Sequence, residues 1–271
     1  MPDNQCVILA SRPDGMPVED NFRVERRPVP EVQSGQILCR NLFISLDAGF
    51  RNWMDEGSGD NVLPAMPIGE PVMGLTLSRV LESKHPDFSA GDLLMARFAW
   101  EEHTVTDAGD FISRLPANVH ESLSYYLGVL GDTGLSAYFG LTDFGNIKAG
   151  ETVLVSAAAG AVGSIAGQIA RIYGARTVGI TSGPEKCARL IREIGYDAAI
   201  DRTADDLHQA VTDACLDGID VYFDNVGGPM LEVVLDHINE EARILLCGSV
   251  ATYNSTEPQP GPSNLFQLTT K

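Results

Sequence analysis

The chain has 271 residues, 44% of them apolar and 21% charged, which is enough for one large globular domain or two ordinary ones. Its 19 basic and 37 acidic residues give a net charge of -18, which argues against nucleic acid or an anionic membrane surface as the main partner. Any phosphate site must then be local, built from backbone N–H groups and one or two placed cations.

At the start, Met1-Pro2-Asp3-Asn4-Gln5 lacks the basic stretch of a signal peptide, and none is expected. From Cys6 to Arg114, short β-like runs alternate with Pro and Gly turns. Gln36–Phe43, Val72–Leu81 and Leu93–Ala96 are the clearest of them. Short strands with close turn signals predict a β-rich, barrel-like unit over residues 1–125.

The texture then changes, with the boundary expected in the helical stretch Ser122–Asp143. Over residues 126–271, apolar strands alternate with helical patterns: Val153–Ser156, Ala161–Tyr173, Thr177–Thr181, Pro184–Ile194 and Ala198–Asp201. The series continues through Ala204–Cys215, Ile219–Asp224, Pro229–His237 and Arg243–Cys247. This alternation predicts an α/β unit with a doubly wound parallel sheet. The most apolar window, Val153–Ala170, breaks at Gly160, Gly163 and Gln168, so it reads as a buried strand and a helix and not as a membrane span.

Cys6, Cys39, Cys187, Cys215 and Cys247 are scattered, as are the five histidines. No disulfide and no local zinc cluster are expected, and a reducing, cytoplasmic setting fits best.

The chemistry is concentrated in Gly160-Ala161-Val162-Gly163, which follows the strand Val153–Ser156 and opens a helix with Val162, Ile165, Ala166, Ile169 and Ile172 on one face. Strand, glycine turn, helix and a further strand are the context a dinucleotide fingerprint requires. Gly160 is expected to permit the tight turn and Gly163 to let the backbone approach a pyrophosphate at the helix N-terminus.

An NAD-preferring site places Asp or Glu about twenty residues on, at the end of the second strand. Here the sequence is Ile180-Thr181-Ser182-Gly183-Pro184-Glu185-Lys186. Small residues such as Ser182 leave room for a 2′-phosphate, and Lys186 can neutralise it, with Arg189 and Arg202 close in sequence. NADP(H) is the expected cofactor. Asn225, directly after the strand Asp220–Asp224, falls where a doubly wound sheet places residues beside the nucleotide.

Several strings together resemble the zinc-independent medium-chain dehydrogenase/reductases, and within them the prostaglandin reductase and curcumin reductase group. They are AAAGAVGSIAGQIA from Ala157, SGPEKC from Ser182, YFDNVGG from Tyr222 and CGSVATYN from Cys247. LASRPDGMPVEDNF from Leu9, SLDAGFRNWM from Ser45, HPDFSAGD from His85 and GLSAYFGL from Gly134 carry the resemblance through the first half. It implies a GroES-like β domain joined to a Rossmann domain, and NADPH-dependent reduction of the C=C bond of α,β-unsaturated ketones and aldehydes. By position it implies cofactor contacts at Gly160–Gly163, Ser182, Lys186, Arg202, Asn225, Gly248, Ser249 and Tyr253. It also accounts for the missing metal, since Ile68-Gly69-Glu70 lacks the histidine of the zinc-dependent relatives.

The chain departs from that pattern in places. Gly49 replaces a substrate-pocket tyrosine, Gly131-Asp132-Thr133-Gly134 replaces Gly-Met-Pro-Gly, and Arg202 stands where prostaglandin reductases have a tyrosine. The sequence stops at Lys271, just past the fifth Rossmann strand. The resemblance implies a further strand that pairs across a homodimer, and a return segment, so a C-terminal truncation with exposed sheet edge is expected. Tyr253 and Arg51 are the catalytic candidates: Tyr253 as a donor to an enolate oxygen, Arg51 as a pocket residue whose simpler reading is structural. A quinone oxidoreductase, an alcohol dehydrogenase or a non-catalytic NADPH-binding protein on the same scaffold are the alternatives.

Overall fold

A computed structural model describes residues 3–58, 63–116, 122–203 and 206–271. The chain divides into two compact units, Met1–Leu127 and Gly128–Lys271.

In the first unit, β1 (Asp3–Leu9) pairs antiparallel with β2 (Phe22–Pro28). A second, five-stranded antiparallel sheet contains β3 (Ile37–Ile44), β4 (Met73–Ser83), β5 (Leu93–Ala99), β6 (His103–Thr106) and β7 (Ile112–Arg114), in the order β6-β3-β4-β5-β7. Ile37, Cys39, Val80, Leu94 and Ala96 fill its core, alternating along the strands as a half-buried sheet requires. Polar groups inside it are paired: Ser78 Oγ donates to Asn41 Oδ1 at 2.7 Å and lies 2.9 Å from Thr76 Oγ1.

The second unit opens with helix α1 (Asp132–Phe139), which runs on into a π-helical turn at Gly140–Phe144. A Cβ at Gly140 would sit 2.8 Å from the Phe223 ring, so the chain loosens where it presses on the sheet. The sheet contains β8 (Thr152–Val155), β9 (Arg176–Thr181), β10 (Ala198–Asp201), β11 (Ile219–Asp224) and β12 (Ile238–Leu246), all parallel. Its order, β10-β9-β8-β11-β12, reverses direction between β8 and β11.

Helices α2 (Ala161–Ile172), α3 (Pro184–Arg189), α4 (Leu207–Ala214) and α5 (Gly228–Leu235) connect the strands. Alternation decides the layering. Val153, Val155, Val221 and Phe223 face Ala137, Ala166 and Ala170 of α1 and α2, whereas Leu154 and Tyr222 face Val211, Met230 and Val234 of α4 and α5. Asp206 caps α4 by accepting from His208 N at 3.0 Å.

Most expected elements from Val153 onward agree to within a residue or two. The helix expected from Ala204 is described from Leu207, and Ala204 lies outside the described residues. The last strand starts five residues earlier than expected because Asn239, Glu240 and Glu241 hide it in a polar run. Glu241 has φ +59°, and the pairing of β11 with β12 slips there, so that Ile219 faces Ile238 while Val221 faces Arg243. β12 ends the sheet, and Leu246 and Phe144 beside it are about three-quarters exposed.

Candidate active site

In a doubly wound sheet, ligands lie outside the carboxyl ends of the strands where the order reverses. Here that point lies between β8 and β11. Leaving β8, Ser156 donates its N–H to Phe223 O of β11 at 3.1 Å, and the chain turns back into α2 at Gly160.

The turn does not use its glycines as expected. Its left-handed residue is Ala157, at φ +47°, while Gly160 has φ -77° and ψ 179°, ordinary extended backbone. Gly163 is required for packing within the turn itself. A Cβ there would lie 2.5 Å from Ala157 O and 2.7 Å from Ala158 Cα, so the missing side chain lets α2 pack onto its own turn. The anion-binding potential lies, as the glycine turn led one to expect, in the first-turn N–H groups of Ala161, Val162 and Gly163. Gly160 is an exposed N-cap that offers them no side-chain cap, which leaves oriented donors at the positive end of a 12-residue helix.

At the end of β9, Thr181 is buried and Ser182 half-buried, and Gly183 has φ +84°, a conformation that favours glycine. Pro184 then starts α3 at a position needing no N–H. Lys186 on α3 and Arg202 after β10 are exposed, and the pairing of Asp201 with Thr181 sets Arg202 alongside Ser182. An acid is nevertheless present, supplied by the neighbouring strand. Asp201 Oδ1 accepts from Thr203 Oγ1 at 2.7 Å, Gly183 N at 2.8 Å and Thr203 N at 3.0 Å. The Thr203 hydroxyl first, then the two N–H groups, hold this carboxyl below its ordinary range. Its work is to pin the Gly183 turn.

At the reversal point, Asn225 Nδ2 donates to Ser156 O at 2.7 Å, and Asn225 N donates to Ser156 Oγ at 2.8 Å. Ser156 Oγ in turn donates to Asp224 Oδ1 at 3.0 Å. The loop after β12 lies on this network: Cys247 N and Gly248 N donate to Asp224 O, Val250 N to Asn225 O and Ala251 N to Val226 O. Tyr253 is half-buried, and its Oη accepts from Ser249 N at 3.2 Å, so its own O–H proton remains to be donated. The structure therefore gathers Asn225, Gly248, Ser249 and Tyr253 at one place.

Arg51 belongs to the first unit, in a 3₁₀ turn at Ala48–Met54. It is 8% exposed, with Nη1 donating to Asp55 Oδ1 at 2.7 Å and Nη2 to Gly15 O at 2.8 Å. Its guanidinium ties two loops together, the arrangement that the simpler, structural reading of Arg51 describes. Gly49 in the same turn faces open space, with nothing within 4 Å of a built Cβ. Glu70 is engaged by Arg27 at 3.1 Å. Among the described residues, no group of three or more His, Cys, Asp or Glu side chains is placed to hold a metal ion, and no helix is long and apolar enough to cross a membrane.

Sequence reasoning missed Ser156, Asp201 and Asp224, each of which has a partner 18 to 69 residues away. For Asp224 a signal existed: a carboxylate closing the apolar run Val221-Tyr222-Phe223 has no cheap place in a sheet interior.

Comparison with known proteins places this geometry. Residues 5–113 match the family model described as the N-terminal domain of oxidoreductase, and residues 161–271 match the one described as zinc-binding dehydrogenase. The NADPH-dependent curcumin reductase of Escherichia coli is 41% identical over 262 residues, covering 97% of this chain and 75% of that protein. Prostaglandin reductase 1 of Rattus norvegicus is 39% identical over 92% of this chain and 74% of its own length. The crystal structure of CurA in complex with NADPH from Vibrio vulnificus superposes with a TM-score of 0.88 at 37% identity, covering 98% of this chain and 78% of that one. The chain thus spans about three-quarters of the length of the curated relatives it matches. It belongs to the medium-chain dehydrogenase/reductases, in the group that contains the NADPH-dependent curcumin reductase and the prostaglandin reductases.

Proposed function

We propose that this chain is an NADP(H)-dependent oxidoreductase that reduces the C=C bond of α,β-unsaturated ketones or aldehydes. The observation that carries the reading is Tyr253. Its oxygen accepts Ser249 N–H, which leaves its own proton for donation, and the loop that carries it is hydrogen-bonded to Asp224, Asn225 and Val226 at the reversal point. The names of the relatives, a curcumin reductase and prostaglandin reductases, favour the same acceptor class.

The residues present fit the cofactor. The uncapped first turn of α2 receives a pyrophosphate, and Ser182, Lys186 and Arg202 receive a 2′-phosphate at the ends of β9 and β10. Asn225, Gly248 and Ser249 line the reversal point beside them. When bound, NADPH supplies the hydride that reaches the β-carbon. The chain's own contribution is electrostatic: Tyr253 O–H hydrogen-bonds the carbonyl oxygen as negative charge develops there, which stabilises the enolate before its α-carbon takes a proton from solvent. We place the protein in a reducing, cytoplasmic setting, as the scattered spacing of its five cysteines suggests.

The test is to mix the protein with NADPH and aliphatic enones, aromatic enones or quinones, and follow the loss of reduced-nicotinamide absorbance. Turnover of enones above quinones supports the reading. Turnover of quinones alone makes it a quinone oxidoreductase, and tight NADPH binding without any turnover makes it a binding protein. Tyr253→Phe is expected to lower kcat about tenfold or more while leaving NADPH affinity nearly intact.

A further inference from the structure

Asp224 is fully buried at the carboxyl end of β11. Four donors converge on its Oδ1: Ser156 Oγ at 3.0 Å, Tyr222 Oη at 2.9 Å, and the N–H groups of Val226 and Gly227, each at 2.9 Å. Its Oδ2 is equally buried and has no hydrogen-bond partner. None of the ion pairs among the described residues includes it. A buried carboxylate compensated by dipoles on one oxygen only costs stability compared with an apolar side chain of the same size. Core packing alone gives no reason for it. What its Oδ1 does is organise: it orients the Ser156 hydroxyl, whose lone pair then receives Asn225 N–H, and it fixes the two amides that lead the chain into the Gly227–Gly228 turn and α5. Separately, the backbone carbonyl of Ser156 accepts from Asn225 Nδ2, which turns Nδ2 inward to the protein and leaves the amide oxygen as the acceptor.

We infer that Asp224 is a positioning residue for the cofactor, which acts through Ser156 to hold Asn225 at one orientation on the crevice between β8 and β11. The inference rests on the reading that Asn225 faces the nicotinamide nucleotide there. Tyr222 serves the same centre: burial first, and the Asp224 charge second, push its phenol well above the ordinary value, so it remains a donor to Asp224 at every working pH.

The experiment is a double-mutant cycle on NADPH affinity, measured by the fluorescence of the bound reduced nicotinamide, with the intact chain held well below its melting transition. The variants are Asn225→Ala, Ser156→Ala, Asp224→Asn and the double variant Ser156→Ala/Asn225→Ala. Asp224→Asn keeps the Oδ1 acceptor and the volume, and Ser156→Ala leaves the carboxylate in place, so neither depends on the survival of a gutted core. Asn225→Ala is expected to raise the NADPH dissociation constant about tenfold, and Ser156→Ala by a smaller factor, about threefold, because the carbonyl that holds Asn225 Nδ2 remains. The double variant is expected to be no weaker than Asn225→Ala alone, because the serine acts only through the asparagine. Asp224→Asn is expected to stay within about threefold of the parent in affinity but to shift the emission of bound NADPH, since the acceptor geometry survives and the charge does not.

Unchanged affinity in Asn225→Ala overturns the assignment of Asn225 to the cofactor. A weakened Asn225→Ala beside a folded Ser156→Ala that binds as the parent does overturns the positioning role alone. Effects of Ser156→Ala and Asn225→Ala that multiply in the double variant overturn it too. So does an Asp224→Asn variant that melts earlier but binds with parental affinity and emission, the signature of a purely structural carboxylate.

Discussion

The Tyr196 hydroxyl donates to the carbonyl oxygen of Gly163 at 2.6 Å, and the tyrosine ring lies where a side chain at Gly167 would be. A Cβ on Gly167 would come within 2.1 Å of Tyr196 Cζ, so one glycine admits the ring and the other, one helical turn earlier, receives its hydroxyl. The ring is 3% exposed, and burial drives its phenol far above the ordinary value, which keeps it a donor. This contact seats α2, and with it the N-terminus proposed to receive the pyrophosphate. Tyr196→Phe is expected to cost about 1 kcal/mol, the net value of one buried hydrogen bond. Gly167→Ala is expected to cost about 3 kcal/mol through overpacking. In a Tyr196→Ala background, Gly167→Ala should become nearly neutral, because the clash has gone. Denaturant midpoints of the four proteins check this, and additive losses would separate the two residues.

Cofactor choice provides a second check. Lys186 and Arg202 are the cations at the carboxyl ends of β9 and β10, and each alone should contribute about 1.5 kcal/mol to a 2′-phosphate contact, or roughly tenfold in affinity. Lys186→Ala and Arg202→Ala are expected to raise the KM for NADPH by that factor and leave the KM for NADH unchanged. An equal rise for both cofactors would show that the side chains support the loop and do not read the phosphate.

The same loop shows how far the sequence could be read. The absence of an acid after Ile180 is visible in one dimension, because it depends only on spacing from the glycine turn. Asp201 is not: it reaches Gly183 across the sheet, over 18 residues, and only the parallel register of β9 and β10 brings them together. The packing demand on Gly163 was not visible in the motif either, since it comes from Ala157 O, an atom of its own turn. Arg51 could be read from sequence as structural, but its partners Asp55 and Gly15 could not be named. The strands and helices of the second unit were legible because apolar periodicity is local. The site was legible only where its parts sit next to each other along the chain.

Acid should weaken the second unit in a way that one side chain explains. Burial alone would raise the Glu151 carboxyl, but Arg243 at 2.7 Å and the Lys148 N–H outweigh it and hold it below its ordinary 4.5. A lowered folded value means the stabilisation is present above the unfolded value and is lost as pH falls through the folded one. Glu151→Gln is therefore expected to be less stable than the parent by about 1 kcal/mol near pH 7, and by progressively less as pH falls below about 4.5. Urea midpoints at several pH values measure the gap. A gap that stays constant with pH assigns the loss to packing and removes the ion pair from the explanation.

The cysteines give a probe of the site that requires no turnover. Burial pushes the thiols of Cys6 and Cys215 up to about 11 and that of Cys39 up to about 12, and all three are enclosed. Cys247 is exposed at the start of the loop that carries Gly248 and Ser249. Partial burial of its sulfur, followed by the Asp224 and Asp132 carboxylates, raises this thiol as well, so it should react slowly at neutral pH and faster as the solution is made alkaline. A disulfide reagent at about pH 8.5 is then expected to label Cys247 well before the three buried cysteines, with half-buried Cys187 in between. Cys247→Ser should abolish the fast phase. Saturating NADPH should slow that phase about tenfold, because a nucleotide over Gly248 and Ser249 shields the neighbouring sulfur. If NADPH leaves the rate of Cys247 unchanged while protecting Cys187, the nucleotide lies toward α3 and away from the β12 loop, and Tyr253 loses its place beside it.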